Sequence, residues 1–197
     1  MVVSMILKRQ LRKSQTLSTK EIAFVRQVKD DVMLNKIEDV RKAIKNGTYY
    51  SALALALTFP DICCQVENGL NNGENSNRSL YIDWVNKHMG FEDFHFPIPG
   101  FETQTFAGEM CYSLRCKVLH NGNTEVYNDK LGVIVDKLVL TTPEDNNYYH
   151  GYRYAESSSG EIATYIGIDY VCERLCDTAE KFYNSWSNKS DFDKHSF

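Results

Sequence analysis

The stretch GEMCYSLRCKVLHNG, residues 108–122, decides how this chain is interpreted. Apolar residues recur along it at helical steps: first Met110, then either Leu114 or Cys111, and then Val118. This spacing predicts a helix, for which Asn121-Gly122 is a typical C-terminal stop. Arg115 and His120 lie on its last turns. An arginine and a histidine in one cleft can cleave RNA, whereas an exposed histidine at a helix end merely interacts favourably with the helix dipole.

Further helical patterns precede this stretch. Residues 20–46 carry apolar positions at mostly three- and four-residue steps, which predicts an amphipathic helix or a helix pair that Gly47 ends. Residues 49–69 are rich in Ala and Leu, which favours one buried helix, capped by Thr48 and kinked at Pro60. The other predicted elements of this half are a loop at 68–77, a helix at 78–89 and an irregular connection at 91–104.

The periodicity changes in the C-terminal part of the chain. Segments rich in Val, Ile, Thr and Tyr alternate with turn residues and predict three short strands in an antiparallel meander. These strands are expected at 131–142, 148–154 and 162–170. A last amphipathic helix follows, with one apolar stripe from Val171 to Trp186.

The predicted fold is therefore mainly α: a helical bundle of four to five helices with a small three-stranded antiparallel β insertion before the last helix. Residues 1–30 are expected to form a basic arm or the start of the first helix. Residues 31–190 are expected to form a single domain, with the β insertion at about 131–168. Residues 191–197 are expected to form a polar tail.

The composition and charge of the chain limit the classes of protein to which it can belong. The chain has 197 residues, 43% of them hydrophobic and 24% charged, which is typical of a globular protein. A net charge of −4 does not by itself indicate a nucleic-acid binder, although residues 1–30 form a basic arm that either tracks phosphates or is simply solvated. No run of about 20 apolar residues is present, so no membrane association is expected. Positive charges follow the N-terminal apolar residues, the reverse of a secretory signal, and a cytoplasmic location is expected.

The six cysteines occur as neighbours or at helical spacing, an arrangement poorly placed to form disulfides within each pair. We expect reduced, mostly buried thiols. Cys172 and Cys176 could provide two metal ligands, but no matching pair completes a zinc site, so no metal and no cofactor are expected.

The residue types in RCKVLH suit RNA transesterification, in which the 2′-hydroxyl is the nucleophile and no metal is needed. A histidine can move the protons, and an arginine can stabilise the charge that develops on the phosphate oxygens. One histidine cannot be both base and acid at once, so a symmetric dimer would supply the second copy. Positions 115 and 120 lie about 140° apart around a regular helix, so a last turn that loosens near Leu119 would be needed to bring His120 towards Arg115.

An arginine followed after four residues by a histidine, late in a helical bundle, resembles the HEPN superfamily of prokaryotic toxin and defence proteins. The segments LTFPDIC (57–63), RSLYIDWVNKH (78–88) and GEMCYSLRCKVLHNG (108–122) also resemble uncharacterised bacterial and phage proteins of this type. The resemblance implies that Arg115 binds the phosphate, that His120 is the acid and base, and that the protein is a homodimer. An antitoxin or another protein partner is a further implied possibility.

Neighbouring residues admit two interpretations each. Lys117 and Tyr112 could bind the substrate, or simply provide charge and packing. Asp61 is unusual in an apolar helix and is either structural or orients Arg115 through a salt bridge. Glu109 is expected to interact with the helix dipole rather than to act in catalysis.

Three functions follow from these patterns. The first is a metal-independent endoribonuclease of HEPN type, acting as a toxin or in phage defence. The second is a catalytically inactive HEPN-like module that binds RNA, a nucleotide or a protein, because Cys116 stands where catalytic members often have a polar residue. The third is a structural or regulatory protein whose tyrosine-rich β insertion is a protein-binding surface.

Overall fold

A computed structural model describes residues 31–71, 77–89, 107–121, 125–127, 137–156, 158–160 and 162–195. The described residues from Met33 onward belong to one compact unit. The predicted basic arm and the irregular connection at 91–104 lie outside the described residues. The described helices are α1 (Val32–Lys45), α2 (Tyr49–Ala56), α3 (Phe59–Glu67), α4 (Arg78–His88), α5 (Ala107–Asn121), α6 (Ile168–Ser185) and α7 (Ser190–Asp193).

Helix α1 ends as the sequence predicts. Gly47 has a φ of 73°, the left-handed conformation that glycine adopts without strain. The amide of Gly47 donates to the Ile44 carbonyl and that of Thr48 to the Ala43 carbonyl, which is the hydrogen-bond pattern of a Schellman motif. The Thr48 hydroxyl also donates to the Ala43 carbonyl, and no side-chain cap is formed at the start of α2. Thr48 therefore closes α1 and does not cap the next helix as predicted.

The single kinked helix predicted at 49–69 is two helices. Helix α2 ends at Ala56 and α3 begins at Phe59, with Pro60 in its first turn. The ring of Pro60 is compatible with a first turn because no intrahelical bond needs its missing N–H there. Proline thus starts a helix here, and Asp61 becomes a first-turn residue of α3.

Helices α4 and α5 pack closely against each other. The start of α4 is capped by Asn77, whose side-chain oxygen accepts from the Leu80 amide at 3.0 Å. Gly108 at the start of α5 donates to Asn86 Oδ1 at 2.9 Å. A Cβ on Gly108 would lie 2.7 Å from the Ile82 carbonyl oxygen, so only glycine permits this approach.

The β insertion is a four-stranded mixed sheet in the order β1-β2-β4-β3. Its strands are β1 (Glu125–Tyr127), β2 (Lys137–Thr141), β3 (Tyr152–Glu156) and β4 (Ile162–Gly167). Strands β2 and β4 pair in parallel, with Val139 opposite Tyr165, while the two outer pairings are antiparallel. The predicted three-stranded antiparallel meander is therefore wrong: β3 returns on the far side of β4, and β1 is an additional strand.

The connection between β2 and β3 crosses the end of β4, where several contacts fix it. The Gly167 amide donates to the Gly151 carbonyl at 3.0 Å. The Tyr148 hydroxyl donates to Asp169 Oδ2 at 2.5 Å, and His150 Nδ1 lies 3.0 Å from the same oxygen. A Cβ on Gly167 would lie 2.8 Å from the Tyr149 carbonyl oxygen. These contacts hold the crossover against the first turn of α6, so that β4 can pair with β2.

The core lies between the helices and the inner face of the sheet. The largest fully buried side chains include Trp84, Tyr81, Phe59, Phe192, Met33, Ile37 and Leu53. Phe192 belongs to α7, so part of the expected polar tail at 191–197 is helical and packed.

All six cysteines are free thiols, of which Cys116 is half-buried and the others are buried, as predicted. None of the described helices is both long and apolar enough to cross a membrane.

The first test concerns Gly108. We expect Gly108→Ala to destabilise the protein by about 1–3 kcal/mol, because the added methyl group clashes with the Ile82 backbone and outweighs the higher helix propensity of alanine. Urea unfolding measures the change. Ser113→Ala in the same helix is the control and is expected to be neutral or stabilising. A Gly108→Ala variant as stable as the wild type would contradict this close packing of α4 and α5.

The second test uses pH. Glu67 Oε1 accepts from Lys87 Nζ at 2.6 Å and lies 3.0 Å from His88 Nε2, which links α3 to the last turn of α4. Burial acts to raise the pKa of Glu67, but these bonds lower it overall below its ordinary value of 4.5. The link is therefore fully stabilising above about pH 4.5 and is lost as the pH falls through the lowered pKa of the folded protein.

Glu67→Gln is accordingly expected to lower the free energy of unfolding at pH 7 and to differ less from the wild type at about pH 3. Urea unfolding at the two pH values measures this difference. Glu38→Gln, which affects an exposed pair with Lys42, is the control. An equal loss of stability at both pH values would show that the charge of Glu67 is not involved.

Candidate functional site

The candidate site is built around the buried carboxylate of Asp61. Asp61 is in the first turn of α3 and is only 6% exposed. A carboxylate removed from water in this way must be paired or hydrogen-bonded. Its position in the first turn also lets it interact favourably with the positive end of the helix dipole.

Arg115 is the partner that α5 provides. Its Nε donates a hydrogen bond to Asp61 Oδ2 in a salt bridge across 54 positions of sequence. The arginine side chain is 26% exposed, so the guanidinium lies between the core and the surface. Burial acts to lower the pKa of Arg115, but the bond and the charge of Asp61 raise it overall, so Arg115 stays protonated. The ion pair suggested from the sequence is present.

Two tyrosine rings flank this ion pair. Arg115 Cζ lies 6.0 Å from the centre of the Tyr81 ring and 5.9 Å from that of Tyr112, which are distances for cation–π interaction. The two rings meet edge to face, with their centres 5.5 Å apart. The Tyr81 hydroxyl donates to the Leu57 carbonyl at 3.1 Å, and burial raises the pKa of this tyrosine well above its ordinary value. Tyr81 thus stays neutral and fixes one side of the guanidinium.

Tyr112 and its neighbours on α5 form the outer side of the site. Tyr112 is half-buried, and burial and the neighbouring Cys116 raise its pKa above its ordinary value. Lys117 is half-buried one position further on. Its role in substrate binding stays a prediction.

The second proposed catalytic residue lies further along the same helix. Helix α5 is α-helical through His120 to Asn121, so its winding does not change at Leu119 as the sequence interpretation required. Positions 115 and 120 are therefore about 140° apart around the axis. The side chain of His120 lies outside the described part of the structure. Within one chain, the helix backbone does not place the two residues on one face.

Arg78 at the start of α4 adds a second cation beside Tyr112. Its Cζ lies 5.8 Å from the centre of the Tyr112 ring, and its Nη2 donates to the carboxylate of Glu109. Glu109, in the first turn of α5, thus has a side-chain partner as well as a favourable position near the helix dipole. Among the described residues, no group of three or more His, Cys, Asp or Glu side chains could hold a metal ion.

Sequence reasoning missed Arg78 and Tyr81. For Tyr81 a signal was present: positions 81, 84, 85 and 88 follow the three- and four-residue steps of one helix face. Trp84 and Val85 on that face are buried as well. For Arg78 no local pattern exists, because both of its partners are on another helix.

Comparison of the chain with protein-family models, curated proteins and solved structures found no significant match.

The strength of the central ion pair can be measured with a double-mutant cycle. For Asp61→Asn and Arg115→Gln we expect a coupling energy of about 1–3 kcal/mol, since either single change leaves a poorly solvated group without its charged partner. The same cycle on Arg41 and Glu180, an exposed pair at 2.6 Å, is the control and should give at most about 1 kcal/mol. Equal coupling in both cycles would contradict a special role for the Asp61–Arg115 pair.

Proposed function

We propose that this protein is a metal-independent endoribonuclease of HEPN type that acts as a homodimer. The observation that supports the proposal best is the salt bridge between Asp61 and Arg115. It holds a permanently charged guanidinium in one orientation at a partly exposed position, on the helix that also carries His120. An oriented cation of this kind suits the stabilisation of charge that develops on a phosphate.

The proposed reaction uses the ribose 2′-hydroxyl as the nucleophile. A neutral His120 removes the 2′-hydroxyl proton while the 2′-oxygen attacks the phosphorus, and the bond from phosphorus to O5′ breaks. A protonated histidine gives a proton to the departing O5′. The products are a 2′,3′-cyclic phosphate and a free 5′-hydroxyl. Atoms and charge balance without a metal or cofactor.

Arg115 and Asp61 have separate roles in this scheme. Nε of Arg115 stays on Asp61, which fixes the plane of the guanidinium, and the terminal nitrogens bind the non-bridging phosphate oxygens. Asp61 is a positioning residue because it acts through Arg115. Tyr112 and Lys117 are assigned to substrate binding on the same helix.

A second copy of the chain completes the site. A single histidine cannot take one proton and give another in the same step, and positions 115 and 120 do not share a face of α5. A symmetric dimer with two α5 helices at its interface supplies two arginines and two histidines to one cleft. The setting implied by the resemblance is a toxin or phage-defence system, in which an antitoxin or other protein restrains the enzyme.

A second candidate function is a catalytically inactive module that binds RNA, a nucleotide or a protein through the same site. The identity of Cys116 favours this candidate, because catalytic members of the family often have a polar residue directly after the arginine. A thiol is also a weaker hydrogen-bonding group than an amide. Binding without turnover would identify this function.

The test is cleavage of unstructured RNA in EDTA. We expect wild-type protein to produce 2′,3′-cyclic phosphate ends and to leave a 2′-O-methyl analogue intact. His120→Ala should reduce the rate by about 10²–10⁴-fold and Arg115→Ala by about 10²–10³-fold, with the fold retained.

The matched control is His150→Ala, which removes a histidine that is 54% exposed and contacts the start of α6. It should cleave RNA at the wild-type rate. Undiminished cleavage by purified His120→Ala would attribute the activity to a contaminant and contradict the proposal. A strictly monomeric protein at micromolar concentration would contradict the shared site.

A further inference from the structure

Two arginine–carboxylate pairs lie near the Tyr112 ring, and they differ in burial. Arg115 and Asp61 form the inner pair, with side chains 26% and 9% exposed. Arg78 and Glu109 form the outer pair, with side chains 55% and 34% exposed. Both guanidinium groups lie within 6 Å of the Tyr112 ring centre. The two cations are therefore no more than about 12 Å apart.

Because the two pairs differ in burial, the two arginines differ in how readily they can exchange their carboxylate for another ligand. Separating Arg115 from Asp61 would leave a buried carboxylate without its cation, so this pair resists exchange. An exposed pair such as Arg78 and Glu109 contributes little stability, because water replaces each partner readily. Arg78 can thus exchange Glu109 for a phosphate at small energetic cost, while Arg115 keeps its carboxylate.

The surroundings of Arg78 leave space for such a ligand. Arg78 and Glu109 line an open groove of about 540 Å³ together with Asn77, Ser79, Ile82 and a second carboxylate, Asp83, which accepts a hydrogen bond from the Ser79 hydroxyl. This volume is within the range of sites that hold small organic ligands. The separation of the two cations, at most about 12 Å, allows them to contact two backbone phosphates within roughly three nucleotides of each other, at the ~3.4 Å rise of a stacked strand.

We propose that Arg78 binds a second backbone phosphate of single-stranded RNA, within about three nucleotides of the phosphate at Arg115, and that Glu109 competes with the RNA for Arg78. This inference rests on the proposed function, since it extends the RNA site from one phosphate to a short strand. Arg78 sets affinity and register along the strand and takes no part in the chemical step. Glu109 lowers the affinity for RNA because it forms a salt bridge with Arg78 in the free protein.

The experiment measures binding of the full chain to a fluorescent 2′-O-methyl oligouridine of about ten nucleotides, which cannot be cleaved. Dissociation constants are determined over a series of salt concentrations. Loss of one phosphate contact from a single strand is expected to reduce the magnitude of the slope of log K against log salt by about 0.7. Arg78→Ala should show this change and bind about 3–10-fold more weakly at low salt.

Glu109→Gln should act in the opposite direction and tighten binding about 2–5-fold, because it removes the competitor. The gain should vanish in the double variant Arg78→Ala/Glu109→Gln, whereas a general effect of removing a negative charge would persist there. Arg41→Ala is the matched control, since Arg41 is also a partly exposed arginine paired with two carboxylates, Asp177 and Glu180. Melting temperatures confirm that each variant is folded.

The outcomes separate this inference from the proposed function. Cleavage by the wild type together with an unchanged salt slope in Arg78→Ala, or a Glu109→Gln gain that persists without Arg78, would overturn the role of Arg78 alone. Binding with the expected Arg78 slope but without cleavage of ordinary RNA would refute the proposed catalysis and leave the second phosphate site standing. Failure of the wild type to bind the oligonucleotide would overturn both.

Discussion

The ion pair between Asp61 and Arg115 joins α3 to α5, and the candidate site is built on this contact. A carboxylate buried in the first turn of α3 is stable only with a cation beside it, and α5 provides that cation from its middle. The same requirement fixes the direction of the guanidinium. The same contact thus serves folding and the proposed function, because the ion pair that stabilises the buried carboxylate of Asp61 also orients Arg115 towards a ligand.

Several backbone features serve this contact. The break between α2 and α3 places Pro60 and Asp61 in a first turn, and the Tyr81 hydroxyl binds the Leu57 carbonyl at that break. Gly108 lets α5 approach α4 closely enough for the Tyr112 ring to meet Tyr81 and Arg78. The site formed by Tyr81, Tyr112, Arg78 and Arg115 therefore depends on the break between α2 and α3. It also depends on the absence of a side chain at Gly108.

The sequence predicted those parts that are local. The periodicity of α5 and its end at Asn121 follow from residue spacing, and the odd position of Asp61 indicated a partner. Pro60 was misjudged because proline is compatible with both a kink and a first turn. The parallel pairing of β2 with β4 depends on tertiary contacts of Tyr148 and Asp169 across the crossover, and the contact of Arg78 with Glu109 spans 31 positions. Neither leaves a periodic signal in the sequence.

A crystal structure of the protein with an uncleavable 2′-O-methyl oligonucleotide would test the proposal that Arg115 binds an RNA phosphate while it stays paired with Asp61. We expect one phosphate to lie about 2.7–2.9 Å from the terminal nitrogens of Arg115, while Nε remains hydrogen-bonded to Asp61. We also expect His120 of one of two symmetry-related chains to face the 2′-position of the adjoining ribose. An oligonucleotide bound elsewhere on the protein, or an Arg115 that leaves Asp61 and makes no phosphate contact, would contradict the claim.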